Sequence, residues 1–437
     1  MSIVLKGNIC YSKSSGELST LENGFLICQN GVSVGVFKKI PDRYIAFPIA
    51  DYGDCLIIPG LVDLHVHAPQ YAFRGLGMDL ELLEWLNTYT FPEESKYSEI
   101  DYANKAYALF ADALRRSATT RACIFATLHT PATLNLMEKL EHTGLVTMVG
   151  KVSMDRNCPD FLRQASADAA YSSTRTWIES SKIKFKNTTP IITPRFIPTC
   201  SDKLMSKLKL LQQEFSLPVQ SHLSESLGEI EWVRALCPEC ETYAHAYEKF
   251  GLFGGKGTPT VMAHCVWSEG AEENLIKNNS VYVAHCPQSN INLASGIAPI
   301  RRFMNNGINI GLGSDVAGGC HVSIFRAMSD AIGVSKLYKR LVSQDDEPLT
   351  VNEAFYLGTK GGGSFFGSVG SFDKGYEFDA VVIDDSSIPT TNPLTIKERL
   401  SRIIYYSDDS NIRAKYIRGK CVFQNTAQKE DLHESDK

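Results

Sequence analysis

The sequence predicts an α/β fold: a (β/α)8 (TIM) barrel with a small β-sandwich domain formed by both chain termini. Three observations lead to this prediction. Strand-like and helix-like segments alternate through the middle of the chain, and both ends are rich in short strands. Ionisable residues also follow several of the middle strands directly, and barrel enzymes carry their chemistry on that face.

The two ends of the chain are predicted to build one small β domain from residues 1–58 and 373–423. Short apolar segments alternate there with Gly, Ser and Asn turns, and Gly419-Lys420 is predicted to turn a hairpin. The polar residues 424–437 are predicted to form a disordered tail. The predicted strands are Ser2–Cys10, Gly24–Cys28, Val32–Phe37, Cys55–Ile58, Phe378–Ile383, Lys415–Arg418 and Cys421–Phe423.

Residues 59–372 are predicted to form the barrel. Apolar residues recur at helical spacing between the strands, as from Ala103 to Leu114 and from Leu204 to Phe215. Thr350 and Glu353 have the spacing of a capping box. The candidate strands are Leu61–His67, Thr119–Thr127, Val146–Met154, Ile191–Phe196, Pro218–His222, Thr260–His264, Val281–His285 and Ile308–Gly313.

Composition excludes several classes of protein. The 437 residues carry a net charge of -5, and 43% of them are hydrophobic, which is an ordinary globular balance. A mildly acidic chain does not favour a nucleic-acid or anionic-membrane surface. We found no signal-peptide pattern and no apolar run that spans a bilayer. The twelve scattered cysteines are expected to be reduced thiols in a cytoplasmic enzyme.

Two histidines at the end of the first barrel strand suggest half of a metal site. His65 and His67 are two residues apart, so on a strand their side chains share one face. Alone, the pair is equally well explained as two structural histidines. Other candidate strands, however, also end in or run directly into ionisable residues: His222, His264, His285 and Asp315.

The residue types favour a single catalytic metal ion. His65, His67, His222 and Asp315 supply three nitrogens and one carboxylate oxygen, a set that suits Zn²⁺ or Fe²⁺ with one position open to water. Such an ion lowers the pKa of water. Glu225 follows His222 by three residues and is predicted to move protons.

Around these residues the chain resembles the amidohydrolase superfamily and, within it, the guanine deaminase family. The superfamily motifs are Pro-Gly-Leu-Val-Asp before His65, His285-Cys286-Pro287, and Gly-Ser before Asp315. The segments that match the narrower family are His67–Tyr71, Leu83–Leu86, Tyr89–Pro92, Gly150–Val152, Thr193–Phe196, Ser221–Glu225 and Ser314–Gly319. Pro69 and Cys265 depart from the residues expected in that family.

The resemblance implies hydrolysis of guanine to xanthine and ammonia by a homodimeric enzyme. It implies one zinc ion per chain, with Fe²⁺ as the alternative, bound by His65, His67, His222 and Asp315. Relatives with two metal ions carry a bridging lysine after strand 4, where this chain has Arg195. Lys151 in strand 3 is the alternative candidate for such a bridging lysine. The resemblance assigns catalysis to Glu225, Asp315 and His264. It assigns contacts with the purine to Gln70, Arg195, Phe196, Glu225 and His264.

The chemistry of guanine agrees with this assignment. Its O6 accepts hydrogen bonds, so the permanently charged Arg195 is predicted to donate to it, and the Gln70 amide matches a purine edge. Phe73 and Trp85 are predicted mainly to pack the barrel, and Glu93-Glu94 to lie in a solvated loop. The alternatives are deamination of another heterocycle (8-oxoguanine, cytosine or another aminopurine) and a non-catalytic scaffold. A surface ion pair remains possible for Arg195.

Overall fold

The computed structural model describes residues 1–255 and 257–425, and within them the chain begins and ends in the same sheet. The strands, in chain order, are β1 Ile3–Ser12, β2 Leu18–Gln29, β3 Val32–Phe37, β4 Ile49–Pro59, β5 Leu61–His67, β6 Thr119–Phe125, β7 Val146–Gly150, β8 Val152–Ser153, β9 Thr188–Pro190, β10 Thr193–Pro194, β11 Val219–Leu223, β12 Thr260–His264, β13 Tyr282–His285, β14 Asn309–Leu312, β15 Ala380–Ile383, β16 Ile412–Ile417 and β17 Lys420–Gln424.

The terminal sheet has seven strands in the order β17-β16-β15-β4-β1-β2-β3. β1 pairs antiparallel with β2 and parallel with β4, and β15 pairs antiparallel with β4. The sheet curls until Val32 in β3 forms a bridge with Glu377, just before β15. Its concave side encloses a core that includes Leu5, Ile57 and Phe378. The prediction of a small β domain built by both termini is confirmed. Of the predicted tail, residues 426–437 lie outside the described residues.

The barrel begins at β5, directly after β4 of the terminal sheet. The prediction of a barrel in the middle of the chain is confirmed. β5, β6, β7 and β9 form one parallel series and β11 to β14 another. A bridge between Ile192 and Val219 joins the two series. At the opposite seam Asp315 N donates to His65 O at 2.9 Å, which connects the end of β14 to β5.

The third and fourth barrel strands are shorter than predicted. The predicted Val146–Met154 divides into β7 and β8, and the predicted Ile191–Phe196 is replaced by β9 and β10. β9 and β10 both end in a proline, which has no N–H to donate to a ladder. A Cβ atom at Gly150 would lie 1.8 Å from Thr193 Oγ1. The segments around Gly150 and Thr193 therefore approach too closely for any residue but glycine at position 150.

Helices cover the outside of the barrel. The stripe of α3 is buried at Ala103, Tyr107, Phe110 and Leu114, and the capping box at Thr350 is present. Residues 361–363 are also helical. The helices are α1 Leu82–Trp85, α2 Phe91–Ser95, α3 Ile100–Arg116, α4 Thr130–Thr143, α5 Ala167–Lys184, α6 Asp202–Phe215, α7 Leu227–Leu236, α8 Tyr243–Glu248, α9 Ala271–Asn278, α10 Pro287–Asn292, α11 Ile300–Asn305, α12 Ile324–Leu341, α13 Val351–Tyr356 and α14 Ile396–Tyr406.

In the part of the chain that the structure describes, no helix combines the length and the apolar character needed to cross a bilayer. All twelve cysteines are free thiols.

A buried ion pair fastens the terminal sheet to the barrel. Arg121 in β6 is 1% exposed and donates to Asp379 Oδ2 at 2.7 Å and to Glu377 Oε2 at 2.8 Å. Asp379, just before β15, also accepts from the backbone N of Arg418 at 3.1 Å. The two bodies are therefore joined by a buried cation and a buried carboxylate, with the partly exposed Glu377 as a second partner of Arg121.

We expect Asp379→Ala to destabilise the protein by about 3–5 kcal/mol, because it leaves Arg121 buried beside a single carboxylate. The measurement is urea denaturation followed by circular dichroism. Asp168→Ala, which removes an exposed partner of Lys203, is the control and should change little. If Asp379→Ala lowered the free energy of unfolding no more than the control does, the ion pair would not be what stabilises the junction of sheet and barrel.

Candidate metal-dependent active site

Four side chains from three parts of the barrel converge at its C-terminal mouth. β5 carries His65 and His67, β11 carries His222, and Asp315 follows β14. His67 Nε2 lies 3.2 Å from both His65 Nε2 and His222 Nε2. Asp315 Oδ1 lies 3.1 Å from His65 Nε2 and 3.5 Å from His67 Nε2. The structure thus brings together the four residues that the sequence assigned to a metal.

These spacings fit the ligands of one ion. With metal–nitrogen bonds of about 2.0–2.1 Å, neighbouring ligand atoms are roughly 3.0–3.5 Å apart. Burial, followed by the charge of His65, lowers the pKa of both His67 and His222 well below the usual value. Neutral imidazoles at this distance direct lone pairs at one another, and a divalent cation between them is the group that satisfies them.

The carboxylate of Asp315 is kept ionised. Burial by itself would raise its pKa, but the charge of His65 and a hydrogen bond from it, with the charges of His264 and His67, lower that pKa far below the usual value. Its backbone has a φ of 45°, in the left-handed region that non-glycine residues rarely adopt. Such strain is common where a side chain must be aimed at a site.

A second set of contacts orients the ligands. His222 Nδ1 lies 2.7 Å from the carbonyl oxygen of Arg195, so a proton on Nδ1 leaves the Nε2 lone pair free for the metal. The buried Asp63 Oδ1 accepts from His65 N at 3.1 Å and from Ser314 N at 3.0 Å. The backbones before His65 and Asp315 are therefore tied to one carboxylate.

The floor of the site is aromatic. The Phe125 ring, at the end of β6, lies 4.6–4.9 Å from the rings of His65, His67 and His222. Sequence analysis named neither Phe125 nor Asp63 as a site residue. For Asp63 a signal was present, since it is a carboxylate flanked by apolar residues, two residues before the first histidine.

Glu225 and His264 lie beside the four convergent residues. His264 Nε2 is 3.4 Å from Glu225 Oε2 and 3.6 Å from Asp315 Oδ2, while its Nδ1 contacts Asn290 Oδ1 at 2.9 Å. Ser295 Oγ donates to Glu225 Oε1 at 3.2 Å. Burial, and then the charge of Asp315, raises the pKa of Glu225 well above its usual value. A carboxyl group poised in this way can hold and release a proton.

One cavity is lined by three of the four convergent side chains, His67, His222 and Asp315, together with Glu225 and His264. The polar Gln70 and Arg195 face it from the side of β5 and β10. Phe196 and Trp85 contribute to its walls, whereas Phe73 packs behind Trp85 with ring centroids 5.5 Å apart. The full lining is His67, Gln70, Leu82, Trp85, Leu86, Arg195, Phe196, His222, Glu225, Glu229, His264, Leu293, Asp315 and Gly318.

The prediction that Glu93-Glu94 forms a solvated loop is wrong. Both residues lie on α2 and are buried, with 7% and 1% of their surface exposed. Glu94 pairs with Arg195, whose surface is 3% exposed, so the alternative of a surface ion pair for Arg195 is also wrong. No local sequence pattern indicates this pair, because its partners are 101 residues apart.

Two other ionisable residues lie away from the cavity. His285, at the end of β13, is buried, and among the described residues neither ring nitrogen has a hydrogen-bond partner. Burial, followed by the charge of His264, lowers its pKa to about 3. Lys151 Nζ lies 3.2 Å from Ser173 Oγ on α5, so it extends toward that helix. Lys151 is therefore not placed as a bridging ligand.

The sequence profile of the amidohydrolase family matches residues 56–422, which is most of the chain. The match covers the barrel and much of the terminal sheet.

Individual proteins are similar over the same region. The guanine deaminase of Dictyostelium discoideum is 39% identical over 382 residues, which are 86% of this chain and 84% of that protein. The guanine deaminase of Homo sapiens is 36% identical over 84% of this chain and 82% of its own. A crystal structure of guanine deaminase from C. acetobutylicum, with guanine bound in its active site, superimposes with a TM-score of 0.94 at 45% identity, covering 97% of this chain and all of that one (100%).

Proposed function

Because the chain belongs to the amidohydrolase family and, within it, to the guanine deaminases, we propose that it hydrolyses guanine to xanthine and ammonia. The observation that carries this proposal is a single cavity. It brings His67, His222 and Asp315, three of the four convergent side chains, together with Gln70 and Arg195, which bear donors suited to a 6-oxo purine.

The proposed cofactor is one Zn²⁺ per chain, with Fe²⁺ as the alternative. His65, His67, His222 and Asp315 would hold it. When bound, the ion supplies Lewis acidity and lowers the pKa of the attacking water. The spacing of the three Nε2 atoms and the aspartate oxygen supports this assignment.

The proposed proton carriers are Glu225, Asp315 and His264. Glu225 carries a proton to the purine N3 as water adds to C2, and Glu225 with Asp315 then passes protons to the leaving amine. His264 accepts a hydrogen bond from the attacking water through Nε2, since Asn290 Oδ1 occupies its Nδ1 at 2.9 Å. The distances of 3.4 and 3.6 Å from His264 Nε2 to the two carboxylates support this assignment.

The proposed purine contacts are Gln70, Arg195, Phe196, Glu225 and His264. Arg195 offers N–H donors to O6, and Phe196 offers its ring to the base. The Phe196 ring is held in turn by Trp232, with centroids 6.0 Å apart.

We expect Arg195→Met to lower kcat/KM on guanine by about one to two decades, because a charged donor contributes roughly 1.5–3 kcal/mol. The comparison substrate is 2-aminopurine, which has the reacting amine but lacks O6. The loss should be concentrated on guanine, and metal content should be unchanged. An equal fractional loss on both substrates would mean that Arg195 serves the structure and not recognition of O6.

The direct test of the proposed function is ammonia release from guanine, adenine, cytosine and 8-oxoguanine. We expect guanine to be the preferred substrate. If another heterocycle were preferred, that compound and not guanine would be the substrate. If metal-loaded protein released no ammonia from any of the four compounds, the protein would not be an enzyme of this class.

We also propose that the protein is a homodimer, as the resemblance to its family implies, and that it is cytoplasmic. Twelve free thiols support a reducing compartment. Light scattering after size-exclusion chromatography measures the mass, and a mass near that of the 48.4 kDa chain would contradict the dimer.

A further inference from the structure

A buried carboxylate stands behind the donor side chains of the cavity. Glu94, on α2, does not line the cavity itself. Its Oε2 accepts from Arg195 Nη1 at 2.5 Å, and its Oε1 accepts from Arg195 Nη2 at 3.1 Å. The same Oε1 accepts from Gln70 Nε2 at 3.0 Å. One carboxylate therefore holds both side chains that the proposed function assigns to the purine edge.

We propose that Glu94 is a positioning residue that makes Gln70 and Arg195 a wall of hydrogen-bond donors, and that it thereby selects purines with an oxygen at C6. This inference rests on the proposed function, which it deepens by naming what fixes the specificity. It assigns a role to a residue that touches neither the metal-binding side chains nor the cavity.

The contacts of Gln70 determine which way its amide faces. Nε2 donates to Glu94, and Oε1 accepts from the backbone N of Ala317 at 3.1 Å. Inverting the amide would set its oxygen against the Glu94 carboxylate and its NH₂ against the Ala317 N–H, which are two repulsive contacts. The second N–H of Nε2 thus remains available as a donor.

The contacts of Arg195 fix the plane of its guanidinium group. Two parallel N–H···O bonds to Glu94 form a fork, which is the strong geometry for arginine and a carboxylate. The guanidinium also lies 5.0 Å from the centroid of the Phe91 ring. Phe91 and Glu94 are three residues apart on α2, so one turn of that helix holds the group from two directions. Within the described part of the chain Glu94 is the one hydrogen-bond acceptor of the Arg195 side chain, so its remaining N–H groups can donate to a ligand.

A donor wall discriminates between purines. Guanine presents two acceptors, N7 and O6, along this edge, whereas adenine presents the N7 acceptor and an N6 donor. Two fixed donors therefore match guanine and meet a donor of adenine. A site whose buried polar groups are left unpaired rejects such a ligand strongly.

Glu94 also balances the charge of Arg195 inside the protein. Arg195 is 3% exposed and Glu94 1%, so neither charge is compensated by solvent. Without the carboxylate, a buried cation would stand near the metal-binding residues and would be expected to move away from its position.

The test replaces Glu94 with the isosteric glutamine and measures kcat and KM on guanine and on 2-aminopurine. We expect Glu94→Gln to lower kcat/KM on guanine by about 10- to 100-fold, mainly through KM, and to affect 2-aminopurine much less. Metal content should be unchanged. No loss on guanine, or an equal fractional loss on both substrates, would overturn the proposal, because a merely structural role would not distinguish O6.

Glu93→Gln is the matched control. Glu93 is the neighbouring residue on α2 and is buried, but its partners are Lys96, at 2.6 Å, and Tyr102. It loses the same charge from the same helix, and we expect the ratio of the two substrates to stay at the wild-type value. A shift in that ratio equal to that of Glu94→Gln would overturn the proposal.

Glu94→Asp decides the matter if the glutamine variant does not fold. It keeps the charge but withdraws the carboxylate by one methylene, so a smaller loss selective for guanine is expected, and a non-selective loss overturns the inference. The proposed function fails separately: wild-type protein that releases no ammonia from guanine contradicts it. If the wild type is active on guanine but the Glu94 variant loses activity equally on both substrates, only the role of Glu94 is contradicted.

Discussion

Replacing His222 with alanine is expected to lower kcat on guanine by more than about 100-fold while the barrel stays folded. Loss of a partner that merely orients a ligand costs about 10- to 100-fold in metal affinity or activity, and losing the ligand itself costs more. His222 contributes the Nε2 that lies 3.2 Å from His67 Nε2. The measurements are kcat, metal content by elemental analysis and circular dichroism.

The control for this variant is His142→Ala. His142 is exposed in the last turn of α4 and should leave activity and metal content unchanged. If the His222 variant kept wild-type turnover with metal bound, the assignment of the metal site would be wrong.

The second large effect is expected for Glu225→Gln. General acid–base catalysis contributes about 10²- to 10⁴-fold, and glutamine keeps the shape of the side chain but cannot exchange a proton. We expect kcat to fall within that range. Metal content should stay at the wild-type level, because Glu225 is not among the four proposed ligands. KM should change less than kcat, because glutamine can still form a hydrogen bond to the purine whereas the chemical step loses its proton carrier.

Glu231→Gln is the matched control, because Glu231 is exposed on the neighbouring α7. A Glu225→Gln variant that retained more than about a tenth of wild-type kcat would contradict a role for this carboxyl in proton transfer.

The convergence of the four proposed metal ligands was predictable because it depends on local rules. The period of two along a strand puts His65 and His67 on one face, and parallel barrel strands deliver their ends to one mouth. His222 and Asp315 follow from the same argument. The structure brings all four together, with Nε2 and Oδ1 atoms 3.1–3.5 Å apart.

The supporting residues were not predictable because their partners are distant in sequence. Glu94 is separated by 101 residues from Arg195, and Asp63 by 251 residues from Ser314. On its own, a Glu-Glu pair on a short helix has the pattern of a solvated surface. Only the tertiary structure shows that both carboxylates of α2 are buried and that Glu94 pairs with Arg195.

The terminal sheet shows a similar division. Its strands were predicted individually, but β4 begins at Ile49, six residues before the predicted Cys55. The added residues Ile49–Asp54 are mostly exposed and have no continuous apolar pattern, so their strand character depends on parallel pairing with β1. Register between distant strands is a property of the assembled sheet.

The central claim, a guanine deaminase that depends on one metal ion, is tested most directly by zinc titration of chelator-treated protein. Xanthine and ammonia are measured from guanine after each addition of zinc. We predict that both products appear in a one-to-one ratio and that activity rises until one equivalent of zinc is bound per chain. Saturation only at two equivalents, or no xanthine at any zinc loading, would contradict the account.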